Sequence, residues 1–434
     1  MAAFMTVLES DLRALSAEAR RRYPAVKDAA EHAILKLRSL ASPTEIALNE
    51  DIFMIFVMAC EVRNVKLSVI GLSCLQKLIS HDAIAPSALT EILNTLKEGF
   101  GFGLGLDGIL GSRSGFDSVL PFFSSGYGKG DLSLRKHGEM TDESIQLKTL
   151  QTILIIFQSR LQPDNEENMA RALGICLRLL ENNRSSDSVR NTAAATFRQA
   201  VALIFDHVLC AESLPAGRFG SGGYISRTSS VTSDVNRNIK RLELLELDVT
   251  AERASLMRET LTKTGKLGLC LLEDLTTLAA GGSAIWLRVD SIRRSFALDL
   301  LDARGGLVDM EHYDRPTTMP KIAMGAYYDI IHSRFVLYNY VALFRTLIPF
   351  EQVLRHQIGS LLMTSLRTNS EIEGETGEPY FRRLVLRSVA HVIRFYSSSL
   401  TTESEVFLSM LVQVIALDLP LWHRILVLEI LRGF

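Results

Sequence analysis

Apolar residues recur along most of this chain at the spacing of an α-helix. The stripes consist of apolar residues three or four positions apart, such as Leu67, Ile70, Cys74 and Leu78, or Val189, Ala193, Phe197 and Val201. This spacing places them on one face of a helix. No comparable run alternates apolar and polar residues, so the sequence predicts helices and no strands.

The predicted helices follow one another in pairs joined by short turns. Residues 51–61 are followed by 66–79, and 144–160 by 169–180. A helix pair with its turns takes about 40 residues, the period of HEAT and armadillo repeats. The spacing alone, without a repeated consensus, predicts an all-α fold: an irregular armadillo/HEAT-like α-solenoid of paired antiparallel helices. A globular helical bundle is the alternative.

Two glycine-rich segments interrupt this pattern. Residues 99–142 hold 11 of the 28 glycines, and because loops of this length are uncommon in compact domains, they predict a flexible insertion. Residues 211–238 have the composition of a flexible linker. The sequence therefore predicts an N-terminal helical domain at 1–210, a linker at 211–238 and a C-terminal helical domain at 239–434.

No motif of catalysis or cofactor binding is supported by its context. Gly103, Gly105 and Gly108 match the letters of the dinucleotide fingerprint, but that fingerprint needs a preceding strand and a following helix. Glu273 and Asp274 are neighbours on a helix and project about 100° apart, so they form no facing carboxylate pair. The sequence predicts a protein that is not an enzyme and binds no cofactor.

The histidines and cysteines do not form a metal site either. Nine histidines are spread singly, without a recognised zinc spacing. The five cysteines are far apart within apolar stretches, which predicts thiols in the helical core and a reducing compartment. They are Cys60, Cys74, Cys176, Cys210 and Cys270.

The charge balance narrows the classes of partner. Lys and Arg number 47 against 49 for Asp and Glu, a net charge of −2, which argues against a general nucleic-acid binder. The longest uncharged apolar run, 52–60, is well short of the roughly 20 residues needed to span a bilayer. We therefore expect a soluble protein whose membrane contact is peripheral.

One local charge cluster has a specific interpretation. Arg20, Arg21 and Arg22, followed by Lys27, lie between the first two predicted helices. They are candidates for contact with anionic lipid headgroups or an acidic partner. The alternative is a solvated corner whose arginines complement a helix dipole. The two tryptophans, Trp286 and Trp422, are predicted to anchor the core rather than to stack on a ligand.

Several helical stretches carry a family resemblance. Residues 11–38 (DLRALSAEARRRYPAVKDAAEHAILKLR), 66–84 and 191–208 resemble the dimerisation and cyclophilin-binding (DCB) domain of the large Arf-type exchange factors. They are most similar to the Mon-two branch. Residues 267–302 and 395–433 are similar to the HUS region, which lies upstream of the exchange domain in that family.

The resemblance implies a non-catalytic scaffold in protein transport, peripheral on late Golgi and endosomal membranes. Its relatives self-associate through the N-terminal domain and bind Dopey-type proteins and Arf-like GTPases, and the Mon-two branch lacks the exchange domain. The exchange factors carry an N-Y-D-C-D box in the HUS region. Residues 338–340 (YNY) are not that box, so no box residue is assigned. The alternatives are direct binding to anionic membranes and nucleotide exchange on an Arf-type GTPase.

The last predicted helix, 421–434, is apolar and lacks the polar face with which a solenoid normally ends. We therefore expect the chain to be the N-terminal part of a longer protein. The same argument predicts an exposed apolar strip at Leu421, Ile425 and Leu428.

Overall fold

The structure of this protein is a computed structural model. It describes residues 2–20, 22–40, 42–98, 142–182, 184–213, 257–289, 336–367, 378–416 and 421–433. The predicted insertion, apart from Asp142, and the predicted linker after Ser213 lie outside these residues, and so does Arg21.

The regular elements of the described residues are helical, apart from one isolated bridge between Ala284 and Val289. The first nine are α1 Ala2–Ala19, α2 Pro24–Leu37, α3 Pro43–Ala47, α4 Glu50–Glu61, α5 Val65–Ser80, α6 Leu89–Glu98, α7 Glu143–Gln158, α8 Glu166–Glu181 and α9 Asp187–Ala211. The others are α10 Lys263–Ala279, α11 Val336–Asn339, α12 Val341–Thr346, α13 Ile348–Gln352, α14 Gly359–Arg367, α15 Glu378–Tyr396, α16 Thr401–Ala416 and α17 Leu421–Arg432. A 3₁₀ turn, Pro86–Ala88, precedes α6, and a π-helix, Val353–Ile358, joins α13 to α14.

The chain divides into two compact units. Unit 1 comprises Met1–Pro163 and Glu167–Phe197, and unit 2 comprises Asp164–Glu166 and Arg198–Phe434. The division falls within α9, so this helix contributes its first half to one unit and its second half to the other.

The first two helices of unit 1 form an antiparallel pair. Arg38 donates to Glu9 through Nε at 2.9 Å, and Ser16 Oγ donates to Glu31 at 3.1 Å. Residue 9 therefore lies opposite 38 and residue 16 opposite 31, which requires α1 and α2 to run in opposite directions. Their apolar faces, including Leu8, are buried.

The next pair, α4 and α5, packs in the same way. Ser68 Oγ donates to the Cys60 carbonyl at 3.4 Å. A Cβ placed on Gly71 would lie 2.8 Å from the Phe56 carbonyl oxygen, so the two backbones approach closely there. Only a residue without a side chain allows this contact, which explains a glycine in the middle of α5.

Helix α5 connects the pairs of unit 1. Towards α1, the rings of His81 and Phe4 lie 4.2 Å apart, and Lys77 pairs with Asp11 at 2.5 Å. Towards α7, Gln76 donates to the Thr152 hydroxyl at 3.1 Å. Successive antiparallel pairs thus stack on one another, the arrangement expected of the predicted solenoid. The prediction of an all-α fold is confirmed for the described residues.

Capping side chains start several of these helices. Ser42 Oγ accepts the Glu45 backbone N–H at 3.3 Å, with Pro43 in the first turn of α3. In unit 2, Thr262 Oγ1 accepts the Gly265 N–H at 3.0 Å. The Thr262 backbone N–H donates in turn to Glu212 at 2.9 Å, which joins the start of α10 to the end of α9.

Two buried tyrosines organise the core of unit 2. Tyr340 donates its hydroxyl to the Ala202 carbonyl at 2.8 Å, and Tyr396 donates to the Leu337 carbonyl at 2.6 Å. Phe344 packs edge-on against Tyr396, with ring centres 5.8 Å apart. Because each hydroxyl has a partner, these large rings are buried without losing a hydrogen bond.

Candidate functional site

The arginines of the predicted basic corner lie in the turn between α1 and α2. Arg20 has a φ of 39°, and its Nε donates to the Ala17 carbonyl at 2.8 Å. The Arg22 guanidinium lies 5.7 Å from the centre of the Tyr23 ring. Both arginine side chains are exposed, and among the described residues neither has an ion-pair partner. Their charges are therefore available to an external anion.

Lys27 of the same predicted group lies on α2, beyond this turn. Its ammonium pairs with Glu31 of the same helix at 3.4 Å. Because a neighbouring carboxylate offsets its charge, Lys27 adds less to the positive potential than the arginines do.

Large apolar side chains are exposed near one end of the first helices. The most exposed in this region are Val7 at 43%, Leu35 at 66% and Leu48 at 82%. The Arg38–Glu9 pair joins α2 to α1, and the Lys36–Asp51 pair joins α2 to α4, close in sequence to these side chains. Grouped exposed apolar residues are typical of protein interaction surfaces.

The apolar strip predicted on the last helix is exposed. Leu421, Ile425 and Leu428 are 67%, 46% and 51% exposed. Their spacing of four and three residues places them on one face of α17. Val412 of the neighbouring helix α16 is also exposed, at 57%.

An open cleft of about 940 Å³ lies in unit 2. It is formed by the second half of α10, the loop 284–289, and the π-helix with α14. The π-helix and α14 supply exposed polar side chains on one helical face, namely His356, Gln357, Ser360 and Thr364. π-Helical turns are frequent at functional sites.

The Asp274 carboxylate fixes the loop that forms one side of this cleft. It accepts the Leu287 backbone N–H at 2.7 Å and also bonds the N–H groups of Ile285 and Trp286. Burial raises the pKa of Asp274, and these hydrogen bonds oppose the rise only in part. Ala284 closes the loop by donating to the Val289 carbonyl at 2.8 Å.

The neighbouring carboxylate, Glu273, has a different partner. It pairs with the guanidinium of Arg258. Burial raises the pKa of Glu273, and Arg258 opposes this rise. Glu273 and Asp274 thus point to separate groups, as expected of adjacent positions on a helix.

Three of the cysteines are buried, and their thiols are unreactive at neutral pH. Burial raises the pKa of Cys60 and of Cys176 to about 12, and it also raises the pKa of Cys74. Cys270 is half-buried. Cys210 is exposed near the end of α9, so the prediction of a core thiol is wrong there. Among the described residues no group of three or more His, Cys, Asp or Glu could hold a metal ion.

One helix of the described residues is long and apolar enough to cross a membrane. This is α9, with a mean hydropathy of 1.2 over its most apolar window, of which 61% is buried inside the protein. A core helix passes the same test of length and composition, so this is weak evidence for a membrane span.

No sequence pattern predicts the cleft, because its residues are distant in the chain. Arg258, Asp274 and His356 come together only through the packing of α10 against the π-helix and α14. The nearest sequence signal is the pair Gly281 and Gly282, which marks a turn just before Trp286.

The helices and surfaces described so far define an all-α protein of paired helices that offers exposed patches and an open cleft for binding. Residues 1–105 and 133–212 match the model of the Mon2/Sec7/BIG1-like dimerisation and cyclophilin-binding domain. Residues 307–434 match the model of the Mon2/Sec7/BIG1-like HUS domain. The chain belongs to the Mon2/Sec7/BIG1-like family, as its resemblance to DCB and HUS regions predicted.

Individual relatives agree with this assignment. The chain is 25% identical to the human protein MON2 homolog over 98% of its own length and 20% of the relative. It is 22% identical to the Drosophila melanogaster protein MON2 homolog over 99% of this chain and 21% of the relative. Saccharomyces cerevisiae protein MON2 is 28% identical over 46% of this chain and 10% of the relative. The chain spans about a fifth of the length of the first two relatives.

Proposed function

We propose that this protein is a non-catalytic scaffold in protein transport between Golgi and endosomes. The observation that carries the proposal is the match to DCB and HUS domain models, together with similarity to MON2 proteins of human, Drosophila melanogaster and Saccharomyces cerevisiae. Stacked helix pairs present extended surfaces that suit several protein partners. The proposed domains are those predicted from the sequence: 1–210, the linker 211–238, and 239–434.

Self-association through the N-terminal domain is the first part of this function. The matched DCB model is described as a dimerisation domain. Exposed apolar side chains on the first helices, Val7, Leu35 and Leu48, support the proposal, because such residues are buried when two copies meet. A homodimer carries two copies of every other binding site, which raises its avidity for partners.

Recruitment of partners is the second part. The proposed partners are a Dopey-type scaffold and an Arf-like small GTPase, and the proposed location is the cytoplasmic face of late Golgi and endosomal membranes. The family resemblance supports both, and the exposed strip on α17 offers further surface for protein contact.

A pull-down with purified components tests this recruitment. The chain is immobilised and mixed with a Dopey-type protein, and separately with an Arf-like GTPase loaded with GTP or GDP analogues. We expect retention of the Dopey-type protein and stronger retention of the GTP form than of the GDP form. Absence of binding to both proteins at micromolar concentration would contradict this part of the proposal.

Direct binding to anionic membranes through the basic corner is a second candidate function. The exposure of Arg20 and Arg22 favours it. In liposome flotation with about 20% phosphatidylserine, changing Arg20, Arg21 and Arg22 to Glu should abolish association, since each basic residue near such a surface contributes about 1 kcal/mol. A control changes the exposed Arg160, Arg184 and Arg367 to Glu. Equal flotation of both variants would remove this role.

Nucleotide exchange on an Arf-type GTPase, the third alternative, has less support. The matched models cover DCB and HUS domains, and neither description names exchange. Acceleration of nucleotide release from an Arf-like GTPase by this chain would support the exchange function.

A further inference from the structure

The cleft of unit 2 is lined by an exposed apolar side chain and by the neighbouring tryptophan. Within the described residues the indole Nε1 of Trp286 is shielded from solvent and has no hydrogen-bond acceptor. Ile285, the residue before it, is 86% exposed although it is large and apolar. A shielded indole N–H usually has a partner. This donor lies inside the protein, whereas Ile285 and the Trp286 ring line the cleft and would gain from an apolar ligand that covers them.

The cleft is also acidic. Three carboxylates line it, from Glu166, Glu273 and Asp274, against the single guanidinium of Arg258. Arg258 pairs with Glu273, and Asp274 is occupied by the loop N–H groups. Glu166 has no ion-pair partner among the described residues. An excess of negative charge in a partly enclosed space attracts a cationic group.

The charge of Glu166 acts inside the cleft rather than away from it. The thiol of Cys270, which also lines the cleft, has its pKa raised to about 11, first by burial and then by Glu166. The Glu166 carboxylate is therefore close enough to influence a group within the cleft, and it can meet a bound cation.

The shape of the cleft is set before any ligand arrives. Asp274 and the Ala284–Val289 bridge hold the loop that carries Ile285 and Trp286. A preformed site loses less conformational entropy on binding than a flexible one. The volume of about 940 Å³ is at the upper end of ligand pockets and accommodates several residues of an extended or helical segment.

We propose that this cleft binds a short segment of a partner polypeptide in which a lysine or arginine stands beside apolar side chains. The basic group pairs with Glu166, and the apolar side chains cover Ile285 and the Trp286 ring. The proposal rests on the scaffold function only in taking a polypeptide as the ligand.

Selection from a phage-displayed library of random twelve-residue peptides tests the proposal on the whole chain. Peptides are selected on the wild-type chain and counter-selected on a chain with both Glu166→Gln and Ile285→Ser. Both side chains are exposed, so these changes should leave the fold intact. We expect a consensus with Lys or Arg one to four residues from an apolar residue.

Affinities of a selected peptide without tryptophan provide the quantitative test. Glu166→Gln should weaken binding about three- to fivefold, as expected for a partly exposed ion pair, and Ile285→Ser about tenfold or more. The controls are Glu405→Gln and Val65→Ser, exposed residues that do not line the cleft. In a Trp422→Phe chain Trp286 is the only tryptophan, and its fluorescence should shift on binding.

Three results would overturn the proposal. They are selected peptides without a basic residue, equal binding to the cleft variants and the controls, and equally tight binding of free lysine amide, which would indicate a site for small cations. The scaffold function is tested separately by self-association and pull-down of the unmodified chain, so its failure is distinguishable from failure of the cleft.

Discussion

His423 of α17 is buried, with an exposure of 4%. Burial, and to a lesser extent the charge of Arg382 on α15, lower its pKa to about 4. An unfolded histidine binds a proton near pH 6.5. Between pH 6.5 and 4 this histidine is therefore protonated in the unfolded chain and neutral in the folded chain. Lowering the pH over this range favours unfolding.

This linkage predicts a pH-dependent stability. Above pH 6.5 His423 does not lower the free energy of unfolding. As the pH falls towards 4, the free energy of unfolding decreases by about 2 to 3 kcal/mol because of this residue. Changing His423 to Gln should remove this part of the slope. Urea unfolding at pH 7.5 and pH 5 measures it, with exposed His356→Gln as the control. An unchanged slope in His423→Gln would refute the assignment.

For individual residues, the sequence predicts the chemical role of a side chain better than it predicts whether that side chain is buried. The apolar context of the cysteines predicted core thiols, which is right for Cys60, Cys74 and Cys176, yet the exposure of Cys210 depends on where α9 ends. The separate partners of Glu273 and Asp274 follow from helix geometry. Asp274 also holds a loop 11 to 13 residues away. This is a tertiary contact, and no local sequence signal marks it.

At the scale of the element, α17 contains a matched pair of positions. Val427 is fully buried, whereas its neighbour Leu428 is 51% exposed. Val427→Ser should lower the free energy of unfolding by about 2 to 3 kcal/mol, because it removes buried apolar surface and buries a hydroxyl. Leu428→Ser should change it by less than about 0.5 kcal/mol. Chemical denaturation compares the two, and similar losses would contradict the orientation of this helix.

The close approach of α4 and α5 gives a second prediction for an element. Gly71→Ala places a methyl group against the Phe56 carbonyl, and the overlap should outweigh the gain in helix propensity of about 1 kcal/mol. We expect a net loss of about 1 kcal/mol in thermal or urea unfolding. Ser80→Ala, at an exposed position of the same helix, should be nearly neutral. A stabilised Gly71→Ala chain would mean that the backbones are further apart.

Helix positions are the part of the fold that the sequence predicted best. Residues 51–61 and 66–79 were expected to be helical, and the structure has Glu50–Glu61 and Val65–Ser80. Strong apolar periodicity and capping residues explain this agreement. The π-helix Val353–Ile358 was not predicted, because a change in helical hydrogen bonding leaves no periodicity of its own.

At the scale of the whole molecule, the stretches that resemble a known family indicated the function more specifically than periodicity and charge did. Periodicity and charge led to a helical, non-catalytic binding protein, and the quoted stretches led to DCB and HUS domains. The family models confirm both domains, although the HUS match covers 307–434 and leaves out the stretch 267–302. The cleft between α10, the loop 284–289 and α14 could not be predicted, because it depends on the packing of segments about 100 residues apart.

The central claim is that this chain works by holding copies and partners together, and its mass in solution tests this most directly. Size-exclusion chromatography with light scattering on the whole chain, from about 1 to 50 µM, should show a concentration-dependent approach to twice the 48.2 kDa of one chain. Changing Leu35 and Leu48 to Glu should shift the mass towards that of one chain. A mass of one chain at every concentration would contradict the account.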